Sequence, residues 1–353
     1  MLDYIIIGCG LAGISFCETA TKHNKSFIVL NDASQNSSQI AAGLYNPVIL
    51  KRFSQVWHAQ EQLTLLKVFY ADIEKKLNIK IDYQLPIYRK LFSIEEQNNW
   101  FLALDKPKIG TFLAPKLMQK NNPFLNAKFG FGEVLQTGFV DTKHLLDCYQ
   151  NYLEQNKQYL ADRFDYDLLQ QHENYIHYKH IKAKHIIFAE GFGVRFNPFF
   201  NYLPLDGTKG EILVIKAKDL NLKEIINSSI YVIPIGNNLY KVGATYNWDD
   251  KTAQPTATGK SELLRNLKNL ISCDFEVINH LAGIRPTVKD RRPLVGTHPK
   301  FKNYHILNGL GTRGVMLAPE MALSLYQLIE KQIPLDIHID IKRFAKILDA
   351  NLD

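Results

Sequence analysis

Residues 3–13 read Asp3-Tyr4-Ile5-Ile6-Ile7-Gly8-Cys9-Gly10-Leu11-Ala12-Gly13, and this run decides the fold. An apolar run of β type passes straight into a turn spaced G-x-G-x-x-G. Small and apolar residues at helical spacing follow over 14–22, with Asn24 as a stop. Ser26-Phe27-Ile28-Val29-Leu30 then reads as a second buried strand, ending at Asn31-Asp32. Strand, glycine turn, helix and strand make a βαβ unit, the building block of a parallel sheet. Each glycine has a physical task. Gly8 permits the tight turn out of the strand, Gly10 lets a pyrophosphate approach the backbone, and Gly13 lets the helix lie close on the sheet. The phosphates then meet the helix N-terminus at Leu11 and Ala12, where free N–H groups and the positive dipole end favour anions. A ribose-binding acid belongs at the end of the second strand. Asp32 offers a carboxylate there and Asn31 only an amide oxygen, and both are candidates.

Outward from this unit, residues 33–47 read as loop, rich in Ser, Asn, Ala and Gly. Residues 60–77 predict an amphipathic helix with Leu63, Leu66, Phe69, Tyr70 and Ile73 on one side. Short strands and turns are expected over 79–131, punctuated by Pro86, Pro107, Pro115 and Pro123. A helix over 142–160 follows, with Asp141 as its N-cap. Strands are expected at 164–169, 175–178 and 185–189. Alternating runs at 211–215, 230–233 and 240–244 predict an antiparallel sheet, interrupted by a charged helix over 261–270. Near the end, 304–307 is a strand and Gly309-Leu310-Gly311-Thr312-Arg313-Gly314 a second G-x-G-x-x-G. A helix follows over 315–331, with Pro319 in its first turn. Only 39 residues follow Gly314, too few for another βαβ unit. The second turn therefore completes the first nucleotide site. The expected fold is α/β. A Rossmann-like nucleotide-binding domain is assembled from 1–78, 138–204 and 281–353, and a mostly antiparallel α+β substrate domain is inserted as 79–137 and 205–280.

Composition narrows the function classes. Of 353 residues, 46 % are apolar and 22 % charged, which excludes a disordered chain. No window approaches about twenty uncharged apolar residues, so no transmembrane association is expected. The apolar start lacks a basic flank and reads as a strand, not a signal peptide. The four cysteines share no metal-type spacing and are too few for a disulfide framework, so a reducing, cytoplasmic setting and no metal site are expected. The net charge of +7 permits an anionic partner without requiring one. The histidines are scattered, and no Ser/His/Asp or Cys/His constellation stands out.

Six segments in order carry a family resemblance: residues 6–13; Ser37-Ser38-Gln39-Ile40-Ala41-Ala42-Gly43; Gly138-Phe139-Val140-Asp141; Ile187-Phe188-Ala189-Glu190-Gly191; Ala282-Gly283-Ile284-Arg285-Pro286 with Asp290, Pro293 and Gly296; and residues 309–319. In these the chain resembles the FAD-dependent D-amino-acid oxidase family, in particular its glycine oxidase and sarcosine oxidase branch. The resemblance implies a flavoprotein with non-covalent, extended FAD. Gly8, Gly10 and Gly13 would hold its pyrophosphate and Asp32 or Asn31 its ribose. Ser37, Ser38, Ala41, Ala42 and Gly43 would lie beside the phosphates and flavin, and Ala189 and Gly191 at the strand end that passes the cofactor. Gly311, Thr312, Arg313, Gly314, Val315 and Met316 would form the turn facing the flavin, where a helix N-terminus stabilises negative charge. Phe164 is the candidate for the adenine contact.

On the substrate side the resemblance implies that Arg285 binds a carboxylate through its planar fork of donors, with Tyr231 adding a hydroxyl. The alternative for Arg285 is an ion pair with Asp290 or another acid. In some relatives a second carboxylate-binding arginine falls where this chain has Thr312, with Arg313 one position later. The implied reaction is oxidation of the C–N bond of a small-molecule amine or amino acid by hydride transfer to flavin N5. It yields an imine that hydrolyses, with oxygen or a quinone as electron acceptor. Residues 41–47 also resemble the oxidase domain of enzymes that modify tRNA wobble uridines. That implies a carboxymethylamino group on RNA as substrate, with Lys51, Arg52, Trp57 and His58 near phosphate and base. A flavin-binding protein without turnover would keep the FAD motifs but not need Arg285. An NAD-dependent dehydrogenase would explain the first turn alone.

Overall fold

Leu2–Ile7 lies in the middle of a parallel sheet, between Phe27–Leu30 on one side and Ile181–Phe188 on the other. This computed structural model describes residues 1–119 and 122–350; residues 120–121 and 351–353, inside the expected segments 79–137 and 281–353, lie outside the described residues. Tyr159–Leu160 adds to Phe27–Leu30 and Tyr304–Asn308 to Ile181–Phe188, both parallel. Leu169–Gln171, Ile176–Tyr178 and Leu294–Thr297 join antiparallel and complete an eight-stranded sheet. Both faces are covered. Tyr4, Ile6, Ile187 and Leu307 pack with the helices Leu11–Lys22 and Gly314–Lys331. Ile5, Ile7, Ile186, Phe188 and Ile306 pack into an aromatic layer that includes Tyr178, Phe200 and Tyr304. Burial on both sides is why these strands read as unbroken apolar runs.

The second sheet also has eight strands, in the order Glu276–Arg285, Thr208–Lys216, Leu239–Gly243, Tyr231–Pro234, Ile225–Asn227, Ile87–Lys90, Phe131–Val134, Leu113–Met118. All neighbours are antiparallel except Ile225–Asn227 beside Ile87–Lys90. Glu276–Arg285 runs across residue 281 and delivers Arg285 at the far end of its pairing with Thr208. No helix among the described residues is long and apolar enough to cross a membrane.

Some elements differ from the sequence reading. Within 79–131 stands a helix, Ile94–Leu104. Ser93 caps it by accepting the Glu96 N–H at 3.1 Å, and Glu96 reaches back to the Phe92 N–H at 2.8 Å. Ser93-Ile94-Glu95-Glu96 thus has the Ser-x-x-Glu spacing of a capping box, with Glu96 accepting from the residue before the cap, and that local signal outweighs the surrounding prolines. The helix expected to 160 is Thr142–Gln155, and Tyr159–Leu160 peels off to pair with the sheet. Asp141 does cap it, accepting the His144 N–H at 3.3 Å. Residues 164–169 are not a strand: Tyr166–Leu168 is a 3₁₀ turn, and Phe164 stacks on Tyr178 with centroids 4.4 Å apart. The loop over 33–47 contains a short helix, Ser37–Ile40.

Pro319 lies deeper in its helix than the first turn that the sequence suggests. The final helix begins at Gly314, which places Pro319 in its second turn. Proline has no N–H to give the carbonyl four residues back, that of Val315. The buried Tyr70 hydroxyl donates to that carbonyl at 3.0 Å instead, so a side chain from the helix Ala59–Leu77 replaces the missing backbone donor.

Candidate active site

Two helix N-termini open onto one cavity of about 720 Å³ between the sheets. Neither the Leu11–Lys22 helix nor the Gly314–Lys331 helix has a side-chain cap, which leaves first-turn N–H groups without an intrahelical partner. At the first turn Gly8 has φ +101°, and a Cβ there would stand 2.5 Å from the Ala189 carbonyl oxygen. A Cβ on Gly13 would stand 2.0 Å from the Gly8 carbonyl oxygen, so the helix lies against the turn as closely as backbone allows. Ser38 Oγ accepts the Leu11 N–H at 3.2 Å and ties the short helix to the glycine turn.

The wall of the cavity carries Gly8, Gly10, Leu11, Ala12, Asn31, Asp32, Ser37, Ser38, Ala41, Ala42, Gly43, Ala189, Gly191, Gly311, Thr312, Gly314 and Val315. Gly13, Arg313 and Met316 are not on it; Met316 is buried in the core beneath. Asn31 and Asp32 differ in how their side chains are engaged. Asn31 Oδ1 accepts the Cys9 N–H at 3.3 Å and its Nδ2 donates to Tyr159 Oη at 3.0 Å, so its amide braces the glycine turn. Asp32 accepts only the Ser34 N–H, at 2.9 Å on Oδ1, among the described residues. That leaves Asp32 the better placed of the two to accept from a ribose hydroxyl.

Arg163, Phe164, Tyr166 and Glu190 line one end of the cavity. Glu190 is absent from the sequence reading, where it was only the middle of Ala189-Glu190-Gly191. Burial pushes its carboxyl up to about 7, against hydrogen bonds from Asn197, at 2.7 Å, and from the Tyr166 hydroxyl.

Arg285, Tyr231, Tyr246 and Thr312 line the other end. Arg285 has no carboxylate within ion-pair distance among the described residues. Its guanidinium donates to the carbonyls of Lys209, at 3.2 Å, and Thr245, at 3.3 Å. Asp290, the alternative partner, is taken by Arg343 at 2.9 Å. A Cβ on Gly210 would fall 1.9 Å from Arg285 Nη2, so only glycine leaves room for the fork. The Tyr231 hydroxyl is pushed above its ordinary range by burial, against the pull of the Arg285 charge, and stays a neutral donor. Tyr246 lies over Arg285, 4.4 Å from guanidinium carbon to ring centroid. It is held there by its neighbour: Asn247 exchanges backbone hydrogen bonds with Lys209 at 2.8 and 3.1 Å, and Lys209 Nζ, itself buried, donates to Asp250 at 2.5 Å. Nothing local in the sequence points to Tyr246, because its partner comes from a strand two places away in the sheet.

The family model for FAD dependent oxidoreductases (DAO) matches residues 3–328, nearly the whole chain. The chain belongs to that family. Its similarity to glycine oxidase of Bacillus subtilis (strain 168) is 29 % identity over 154 residues, 42 % of this chain and 41 % of the relative. To the tRNA 5-methylaminomethyl-2-thiouridine biosynthesis bifunctional protein MnmC of Idiomarina loihiensis it is 27 % over 128 residues, 35 % of this chain and 21 % of that one. The chain thus spans well under half the length of these relatives. In fold it matches the crystal structure of glycine oxidase from Geobacillus kaustophilus with a TM-score of 0.77 at 18 % identity, covering 97 % of each chain. The family's cofactor fits what the cavity offers: uncapped helix ends, a glycine turn that a Cβ would fill, and a volume within the range of about 300–1,000 Å³ of cofactor and ligand sites.

Proposed function

We propose that this protein oxidises the C–N bond of an amine or amino acid that carries a carboxylate. The observation that carries this reading is Arg285: a guanidinium at the end of a cofactor-shaped cavity, bonded to carbonyls and to no acid among the described residues. Gly8, Gly10, Leu11 and Ala12 would hold the FAD pyrophosphate, Asp32 the ribose, and Ser37 to Gly43 with Gly311 to Val315 the flavin end. Bound FAD supplies the acceptor for the substrate's hydride. Arg285 fixes the carboxylate and Tyr231 donates its hydroxyl to the same group; both orient the substrate and neither moves a proton. The substrate would lose a hydride from carbon to that acceptor and a proton from nitrogen to solvent water, and water would hydrolyse the resulting imine to a carbonyl compound and a free amine. Oxygen or a quinone takes up the electrons, and the free thiols Cys9, Cys17, Cys148 and Cys273 suit a reducing cytoplasm. The division into 1–78, 138–204 and 281–353 against 79–137 and 205–280 belongs to the same reading, with the cavity where the two meet.

A carboxymethylamino group on RNA is the second reading. One observation favours it: beside Arg285 the cavity wall carries Thr312, with Arg313 off the wall, so a small free amino acid meets one guanidinium at that end. The test is anaerobic. FAD-loaded protein is mixed with glycine, sarcosine, D-alanine or D-proline while visible flavin absorbance is followed. Bleaching by any of them establishes amine oxidation. In Arg285→Ala the yellow colour should remain and kcat/KM should fall roughly a hundredfold, the loss expected for charge-assisted hydrogen bonds to a carboxylate. Unchanged reduction kinetics would remove Arg285 as the anchor.

A further inference from the structure

Arg285 keeps one edge of its guanidinium for a ligand. Nη1 donates to the Lys209 and Thr245 carbonyls, and Nη2 donates once, to Thr245 at 3.3 Å. Of the five N–H donors of an arginine, the Nε hydrogen and the second Nη2 hydrogen are then without a partner among the described residues. These two are neighbours on one edge and match the two oxygens of a carboxylate. A carboxylate bound there leaves the rest of the amine to run along the wall next to Arg285.

That wall carries Tyr246. Its ring centroid lies 4.4 Å from the guanidinium carbon, and it lines the same cavity. The residue is 60 % exposed, and no other cation or aromatic ring stacks on it among the described residues. A lone exposed aromatic on an open surface is ordinary. This one stands in a cavity, against the side chain that anchors the ligand, and its backbone is fixed on both sides. Thr245 donates its N–H to the Glu211 carbonyl at 3.2 Å, and Asn247 exchanges backbone hydrogen bonds with Lys209 at 2.8 and 3.1 Å. Thr245 Oγ1 also accepts the Glu211 N–H at 2.9 Å. Glu211 is buried in turn, and its carboxylate accepts the Thr256 hydroxyl at 2.7 Å and N–H at 2.9 Å. A platform set in place before the ligand arrives costs little ordering when it is used.

We propose that Tyr246 is a stacking platform that selects, among amines bearing a carboxylate, those whose second substituent carries a planar unsaturated ring close to the nitrogen. The proposal rests on the reading of Arg285 as carboxylate anchor. Two groups present such a ring, an aryl group on a small amine and a nucleobase, and both offer the same flat face.

The experiment compares the second-order rate of anaerobic flavin reduction by N-benzylglycine with that by N-(cyclohexylmethyl)glycine. The two share the carboxymethylamino group and differ in whether the ring is flat, so any disturbance of Arg285 cancels in their ratio. The expected ratio in the native protein is about ten in favour of the benzyl compound, the gain of one aromatic stack. Tyr246→Leu should bring the two rates together, and Tyr246→Phe should keep them apart, since the ring face and not the hydroxyl makes the contact. Equal rates in the native protein, or a ratio that Tyr246→Leu leaves unchanged, overturn the platform. The free nucleoside 5-carboxymethylaminomethyluridine separates the two sources: with the ring preference present, a rate above that of N-benzylglycine assigns a nucleobase and a rate below it an aryl group. Should none of these amines bleach the flavin, the underlying reading fails by itself. The platform is then tested by calorimetry on FAD-loaded protein with (benzylthio)acetate and (cyclohexylmethylthio)acetate, which keep the carboxylate and have no C–N bond to oxidise. Tighter binding of the benzyl compound that Tyr246→Leu abolishes supports it, and equal binding or none overturns it.

Discussion

At the scale of single residues, the site is governed by what each side chain is denied. Arg285 is denied an acid among the described residues, and Gly210 brings no side chain against the fork. Gly210→Ala would put a methyl group 1.9 Å from Nη2, too close for any contact, and the guanidinium must move. The expected outcome is a folded, yellow protein with KM for a carboxylated amine raised at least about tenfold, read by steady-state kinetics. Glu190 gives a pH prediction. Its carboxyl is raised to about 7 from an ordinary 4.5, so between those values the folded protein binds the extra proton. Stability from this group is therefore complete below the ordinary value and is lost as pH rises through about 7. Melting temperature measured from pH 5 to 8 should fall less with rising pH in Glu190→Gln than in the native chain. An identical slope would show that Glu190 titrates normally.

Among the elements, caps and their replacements explain most of what a pattern reading catches or misses. The helix Thr142–Gln155 was visible through Asp141, and Ile94–Leu104 was equally visible through its Ser-x-x-Glu box but lay among prolines that suggested turns. By contrast, Pro319 in its second turn was not legible at all, because its tolerance depends on Tyr70 from another helix. Tyr70→Phe leaves the Val315 carbonyl unpaired in the core at the cavity wall. The cost should be about 1–3 kcal/mol, the range for an orphaned buried acceptor, measured by denaturant unfolding. A variant as stable as the native protein would mean that water or a helix shift reaches that carbonyl.

For the whole molecule, the parallel sheet takes its central strands from the start, middle and end of the chain. The cavity wall therefore draws on both glycine turns and not on the first βαβ unit alone. Val315 and the final helix terminus complete the cavity, and Tyr304–Asn308 pairs with Ile181–Phe188 along the sheet. A chain ended after residue 303 should lose bound flavin although Gly8, Gly10 and Gly13 remain. Absorbance near the flavin bands after gel filtration checks this, and a yellow truncated protein would show that the first turn suffices.

The sequence by itself determined the nucleotide-binding unit, because a glycine turn between two buried strands is a local device: spacing, sterics and the helix dipole all act within thirty residues or so. It also determined the family, and with it the expected place of Arg285. Only the tertiary structure decided how these residues are used. That Asn31 braces the turn while Asp32 stays open, that Asp290 belongs to Arg343, and that Tyr246 covers Arg285 are all contacts between chain segments far apart in sequence. Hydrogen bonds and charge pairs act over a few ångströms of space. The order of residues fixes which groups exist, and folding fixes which of them are already engaged when a ligand arrives.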